Sequence, residues 1–240
     1  VVLIHGFCES FEIWNELIPD LSQNYRVIAM DLLGFGKSRL PRIDITIENI
    51  AELVHSFLYD KGLKDCIMIG HSLGGYVALA YAELYPQELK GLGLFHSTAF
   101  ADSEEKKANR NKTIAFIKRR GLNLFISSFV PSLFASKEHS AIELVAEIAN
   151  NTSVETVLKY TDAMRDRKDR THILQSTKLP ILLIAGEHDF AVPIEQSTKI
   201  ATMPKLCTFH VLKAGHMGMY ESRSQSISII NEYLGAILKP

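Results

Sequence analysis

The chain has 240 residues, 47% hydrophobic and 22% charged, with a formal net charge of −1. That is ordinary globular composition, long enough to bury a large core. The near-neutral balance excludes the basic footprint of a nucleic-acid binder, and no apolar run reaches the length of a membrane span. The opening Val1-Val2-Leu3-Ile4-His5-Gly6 lacks both a methionine and the basic flank of a signal peptide, so it reads as a chain whose start lies upstream. The three cysteines, Cys8, Cys66 and Cys207, lie far apart and form neither a disulfide framework nor a zinc spacing. The expectation is a reducing, cytoplasmic setting, no metal and no membrane span; oligomeric state leaves no signal.

Residues 1–5 predict a buried strand, followed by the loop His5-Gly6-Phe7-Cys8-Glu9-Ser10 and a helix around 13–21. Residues 26–31 predict a second strand that ends in the glycine-punctuated Asp31-Leu32-Leu33-Gly34-Phe35-Gly36-Lys37-Ser38. Apolar residues at helical spacing cover 47–59, and Lys61-Gly62 closes that helix. Residues 65–69 are a short apolar run of buried-strand type, and 76–84 are helical. Between them stands Gly70-His71-Ser72-Leu73-Gly74-Gly75, and a fourth strand covers 89–95.

Alternation then stops. From 99 to 177 every segment reads as helix or loop: 103–120 charged, 122–134 apolar and interrupted by Pro131, then 141–149 and 154–165 amphipathic. Alternation resumes at Pro180 with a strand at 181–185, a helix at 194–201, a strand at 208–212 and a closing helix at 222–238. The pattern predicts an α/β fold: a doubly wound, mostly parallel sheet with helices on both faces. The core is residues 1–98 and 178–240. Residues 99–177 form an inserted all-helical lid over the strands' C-terminal edge, where such sheets bind ligands.

Ser72 sits on a sharp strand-to-helix turn with glycine two residues before and after, the arrangement of a nucleophile elbow. A serine hydroxyl needs a base, and the base needs an orienting acid. Asp189 follows the fifth strand and His216 the sixth, so the order is serine, acid, histidine. Asp102, after the fourth strand, is the alternative acid. The oxyanion of a tetrahedral intermediate needs donors, and the Leu73 and Phe7 amides are placed to supply them.

These motifs resemble the α/β-hydrolase-fold serine hydrolases, in particular the lidded esterase, lactonase and haloperoxidase-like group. The likeness covers essentially the whole chain. His5-Gly6-Phe7 is similar to that family's oxyanion loop, and residues 31–38 to its structural Asp-x-x-Gly-x-Gly-x-Ser loop. Two strands that the family places before its His-Gly strand have no counterpart here. The resemblance implies Ser72 as nucleophile, His216 as general base and acid, Asp189 as its orienting partner, and no cofactor. A serine at the elbow argues against the dehalogenase and epoxide hydrolase branches, which use aspartate there.

Candidate pocket residues are Cys8, His96, Phe125, Phe129 and Met217, while Trp14 reads as core. Phe116, Leu124 and their apolar neighbours between 116 and 134 are expected to bury against the core or wall an apolar pocket. Lys106, Lys107, Arg110, Lys118, Arg119 and Arg120 read as the lid's solvated face. The function expected is hydrolysis of a small carboxylic ester with an apolar part. The same triad also serves lactones, thioesters, C–C bonds or perhydrolysis, and the fold also serves small-molecule receptors.

Overall fold

The apolar runs assemble into one sheet. In the computed structural model, which describes residues 1–238, six strands lie in the order β2-β1-β3-β4-β5-β6. They are β1 (Val2–Ile4), β2 (Ile28–Met30), β3 (Cys66–His71), β4 (Leu89–Phe95), β5 (Ile181–Gly186) and β6 (Cys207–Leu212), every neighbouring pair parallel. β3 and β5 are buried at every position, as strands covered on both faces must be.

The chain steps from β1 to β2 on one side, then returns to β3 on the other side of β1. That reversal opens a crevice at the C-terminal ends of β1 and β3. Register sets Ile4, Gly70, Leu94, Leu183 and Phe209 in one row across five strands; β1 ends in that row, while β5 and β6 continue to Gly186 and Leu212. The loops after these strands therefore emerge along one edge.

Helix α1 (Ile18–Leu21) is preceded by a 3-10 turn, Phe11–Trp14. The single helix expected over 13–21 is split because Pro19, which lacks an N–H, fits only in a first turn. Helix α2 (Ile47–Asp60) begins where Thr46 Oγ1 accepts from Asn49 N at 3.1 Å. In α3 (Leu73–Leu84) all but the last two residues are buried, which fits a helix sandwiched between the sheet and other helices. Contacts gather α2, α3 and the later α8 (Thr171–Ser176) together, and α1 with the closing α11 (Arg223–Leu238). The remaining short helices of the core are α9 (Ile194–Ala201) and α10 (Gly218–Glu221).

Between β4 and β5 lie α4 (Glu104–Arg120), α5 (Leu122–Ser132), α6 (Ala141–Asn150), α7 (Val154–Arg165) and α8. Helix α4 follows its charges: Ser103 caps it, Glu104 and Glu105 occupy the first turn, and Lys118, Arg119 and Arg120 the last. Pro131 does not interrupt α5: it lies inside the helix at its next-to-last residue, so the i−4 bond it cannot make is lost only at the helix end. This helical segment docks on the loops at the strand ends. Tyr160 Oη donates to Leu33 O at 2.8 Å, Thr156 Oγ1 to Gly34 O at 3.2 Å, and His216 N to Leu133 O at 2.6 Å. At its far end buried Arg170 pairs with Glu48 on α2 (2.7 Å) and Glu83 on α3 (3.0 Å), tying α8 to the core. Phe116 and Leu124 stay exposed at 41% and 55%, against the expectation of burial, because they lie on the faces of α4 and α5 turned from the core. No helix among the described residues is long and apolar enough to cross a membrane.

Candidate active site

Ser72 joins β3 to α3 with φ 49° and ψ −114°, a strained conformation for a residue with a side chain. Its surroundings hold it there. Ser72 N donates to Phe95 O at 3.0 Å, and Ser97 Oγ donates to Ser72 O at 2.7 Å. The flanking glycines are required by close approach: a Cβ on Gly70 would meet the Gly74 backbone, and one on Gly74 the Ile4 carbonyl. Ser72 heads α3 without spending its hydroxyl on a cap bond. The first amides of α3, beginning with Leu73 N, have no partner within the helix and carry its positive end.

His216 and Asp189 meet above this turn. His216 Nδ1 donates to Asp189 Oδ2 at 2.7 Å, leaving Nε2 as the ring nitrogen available to the cleft. The other carboxylate oxygen, Oδ1, accepts from Ala191 N and Val192 N, both at 2.9 Å. Burial disfavours the Asp189 charge, yet His216, joined by His96 on the same carboxylate, overcomes it and holds the carboxyl well below its usual range. At His216 burial likewise opposes the charge, and the neighbouring carboxylate outweighs it, raising the imidazole above its ordinary value.

Asp189 has a second histidine. His96 follows β4 with φ 49° and donates Nδ1–H to the same Oδ2 at 3.1 Å. Burial pushes His96 down to about 4, so it stays neutral at ordinary pH. His96 is thus no pocket residue: it packs between Gly186 and Gly218 behind the carboxylate. Donor atoms of His96, Asp189 and His216 lie within 4.8 Å of one another, close enough to surround an ion. They bond each other, with both Nδ1 protons directed at Oδ2, so neither Nδ1 has a lone pair to offer an ion while these bonds hold. Asp102, the alternative acid, bonds Arg110 and Arg167 rather than a histidine.

The loop after β1 is held by a pair that the sequence does not announce. Glu9 Oε2 accepts from Gly6 N at 2.6 Å and from His71 Nδ1 at 2.9 Å. His71 Nε2 donates to the carbonyl of His216 at 2.9 Å. Both ring nitrogens of His71 thus sit against oxygen atoms, and its Nδ1 lies within ion-pair distance of the Glu9 carboxylate. Burial works against the Glu9 charge, but His71 prevails and lowers its pKa. This buried pair connects the Phe7 loop, the elbow and the His216 loop. Glu9→Ala leaves Gly6 N and His71 Nδ1 without their shared acceptor in a buried site and should cost about 3–5 kcal/mol in urea unfolding. A loss below about 1 kcal/mol would mean the pair contributes little to stability.

Ser72 and His216 line one cleft of about 240 Å³, with Phe7, Tyr76, Phe129, Leu133, Met164 and Val192 forming apolar walls. Lys106, Asn109, Arg110 and Thr113 of α4 line its remaining side, so Lys106 and Arg110 do not belong to a purely solvated face. Of the five pocket candidates only Phe129 lines the cleft. Phe125 stacks behind it at 5.0 Å, and Cys8 and Met217 are buried in the core at 1% and 0% exposure. Trp14 is fully buried, edge-on to Phe95. A larger cleft of about 370 Å³ lies by β2 and α2 and contains none of these groups.

A parallel α/β sheet with a serine turn beneath a histidine–carboxylate pair is the architecture of a hydrolase. Residues 1–222 match the alpha/beta hydrolase fold family, and the chain belongs to it. It is 27% identical over 248 residues to the uncharacterized hydrolase YugF of Bacillus subtilis, covering 100% of this chain and 89% of that protein. Lipase 3 of a Moraxella species is 26% identical over 236 residues, 92% of this chain and 73% of the lipase. Among solved structures, a thermophilic esterase from Thermogutta terrifontis superposes with a TM-score of 0.92 at 29% identity, over 98% of this chain and 89% of the esterase. The protein is an enzyme, a hydrolase of this family.

Proposed function

We propose that this hydrolase cleaves small carboxylic esters through an acyl-enzyme on Ser72. The observation that carries the reading is His216, bonded to Asp189 on one ring nitrogen and lining the cleft with Ser72 on its other side. Esterase and lipase relatives support ester bonds as the substrate. In the proposed cycle His216 Nε2 takes the Ser72 proton as Oγ attacks the ester carbon. The carbonyl oxygen becomes an oxyanion bound by the Leu73 and Phe7 amides. Collapse breaks the bond to the alcohol oxygen, which leaves with the proton from His216. Water then attacks the acyl-enzyme, gives its proton to His216, and releases the acid and the free serine. Asp189 holds the ring with Nδ1 protonated and stabilises its charged form. No cofactor is needed. Helices α4 to α8 act as the lid, and the small cleft limits the acyl chain. The three free thiols suit a reducing compartment such as the cytoplasm.

Turnover of 4-nitrophenyl acetate and butyrate tests the reaction, with hydrolysis well above the uncatalysed rate expected for both. The pH profile tests the base. Only neutral imidazole accepts a proton, and a raised pKa keeps His216 protonated to higher pH. Activity should therefore fall on acidification with a midpoint above about 6.5. His96, neutral down to about 4, adds nothing to that limb. A flat kcat/KM between about pH 5 and 8 would contradict a histidine base.

A further inference from the structure

The cleft over Ser72 has two unlike sides. Opposite its apolar walls, α4 presents Lys106, Asn109, Arg110 and Thr113. Their spacing of three, one and three residues places them on one helix face. No acidic side chain lines the cleft among the described residues.

The charges there do not cancel. Asp102 is shared by two arginines, Arg110 Nε at 3.0 Å and Arg167 at 2.7 Å, so one carboxylate faces two guanidinium groups. Lys106 is a further cation. Its ammonium donates to the Ala191 carbonyl at 3.3 Å and meets no carboxylate within ion-pair reach among the described residues. The adjacent Lys107, by contrast, pairs with Glu104 at 2.8 Å. Lys106 is half-buried, and its charge is felt at His216, where it works to lower the imidazole pKa. A hydrolase for neutral alkyl esters has no use for an ammonium without a counter-charge beside the reacting group, because part of its hydration is given up and only the one bond to the Ala191 carbonyl replaces it.

We infer that the substrate is an ester carrying its own carboxylate, and that Lys106, supported by Arg110, Asn109 and Thr113, binds that carboxylate at the α4 side of the cleft. The inference rests on the ester-hydrolase reading and narrows it. The apolar walls take the carbon skeleton, and the cations fix its far end, which orients the scissile carbonyl over Ser72. The carboxylate can belong to the acyl or to the alcohol portion.

Two matched pairs of esters separate these cases: mono-4-nitrophenyl glutarate against 4-nitrophenyl pentanoate, and 4-acetoxybenzoate against its methyl ester. For each pair the anionic-to-neutral ratio of kcat/KM is measured in the wild type and in Lys106→Met, after correction for spontaneous hydrolysis. In one pair the ratio should fall at least about tenfold on substitution, and that pair identifies the side that carries the charge. Added salt should lower the wild-type ratio. An unchanged ratio in both pairs overturns the inference. Neutral-ester cleavage that is lost in Ser72→Ala would then still leave the ester-hydrolase reading standing. If no ester is turned over, that reading falls, and calorimetry with glutarate and 4-hydroxybenzoate decides the subsite. Binding at least about tenfold weaker in Lys106→Glu supports it, and equal binding by both proteins overturns it.

Discussion

Ser72→Ala should reduce kcat for a short 4-nitrophenyl ester by about 10⁴-fold or more, a loss of at least about 5.5 kcal/mol of barrier lowering. The reason is local. In the proposed cycle Oγ is the atom that bonds the acyl group, and removing it leaves the Leu73 and Phe7 amides and the cleft in place. The substitution should fold normally. Ser72 makes no side-chain cap bond at α3, and the partners that hold its backbone, Phe95 O and Ser97 Oγ, are untouched. Thermal unfolding close to that of the wild type, together with residual ester cleavage near background, is the outcome to look for. Activity within tenfold of the wild type in a folded variant would remove Ser72 from the chemistry.

Asp189→Asn should cost about 10³- to 10⁴-fold in kcat with the fold retained. Here the direction follows from the bonds on each carboxylate oxygen. Oδ1 accepts two backbone amides, from Ala191 and Val192. An asparagine in this site must keep its carbonyl oxygen on those amides, so its NH₂ turns toward His216 and His96. His216 Nδ1 then has to accept, which moves the ring proton to Nε2, where it blocks deprotonation of Ser72. The imidazolium also loses its counter-charge, so the His216 pKa should fall and the acid limb shift to lower pH. A kcat within tenfold of the wild type would contradict this role.

The parts of the site that were legible in the chain are those whose chemistry is local. The elbow is readable because two backbones cannot approach as closely as those at Gly70 and Gly74 do unless both positions lack a Cβ, and because a buried strand and an apolar helix flank the serine. Asp189 and His216 are readable because sheet register fixes where the loops after β5 and β6 emerge. What stayed hidden depends on tertiary approach. Glu9 and His71 are 62 residues apart, and nothing near either one marks the ion pair they make. His96 has the look of a pocket residue at a strand end, but its positive φ turns the ring toward Asp189. The cleft face of α4 was lost for a different reason. An amphipathic helix betrays its buried side by contrast, and α4 is polar nearly all round, so Lys106 and Arg110 look like any other solvated pair. The first helix splits ahead of Pro19, a break that apolar spacing alone does not register.

One labelling experiment decides whether Ser72 is the activated nucleophile. The protein is treated with a fluorophosphonate, which phosphonylates a serine only when a base withdraws its proton, and the adduct is mapped by peptide mass spectrometry. One adduct, on Ser72, should form in the wild type and be nearly absent in His216→Ala. No adduct, or an adduct on a different residue, would contradict it.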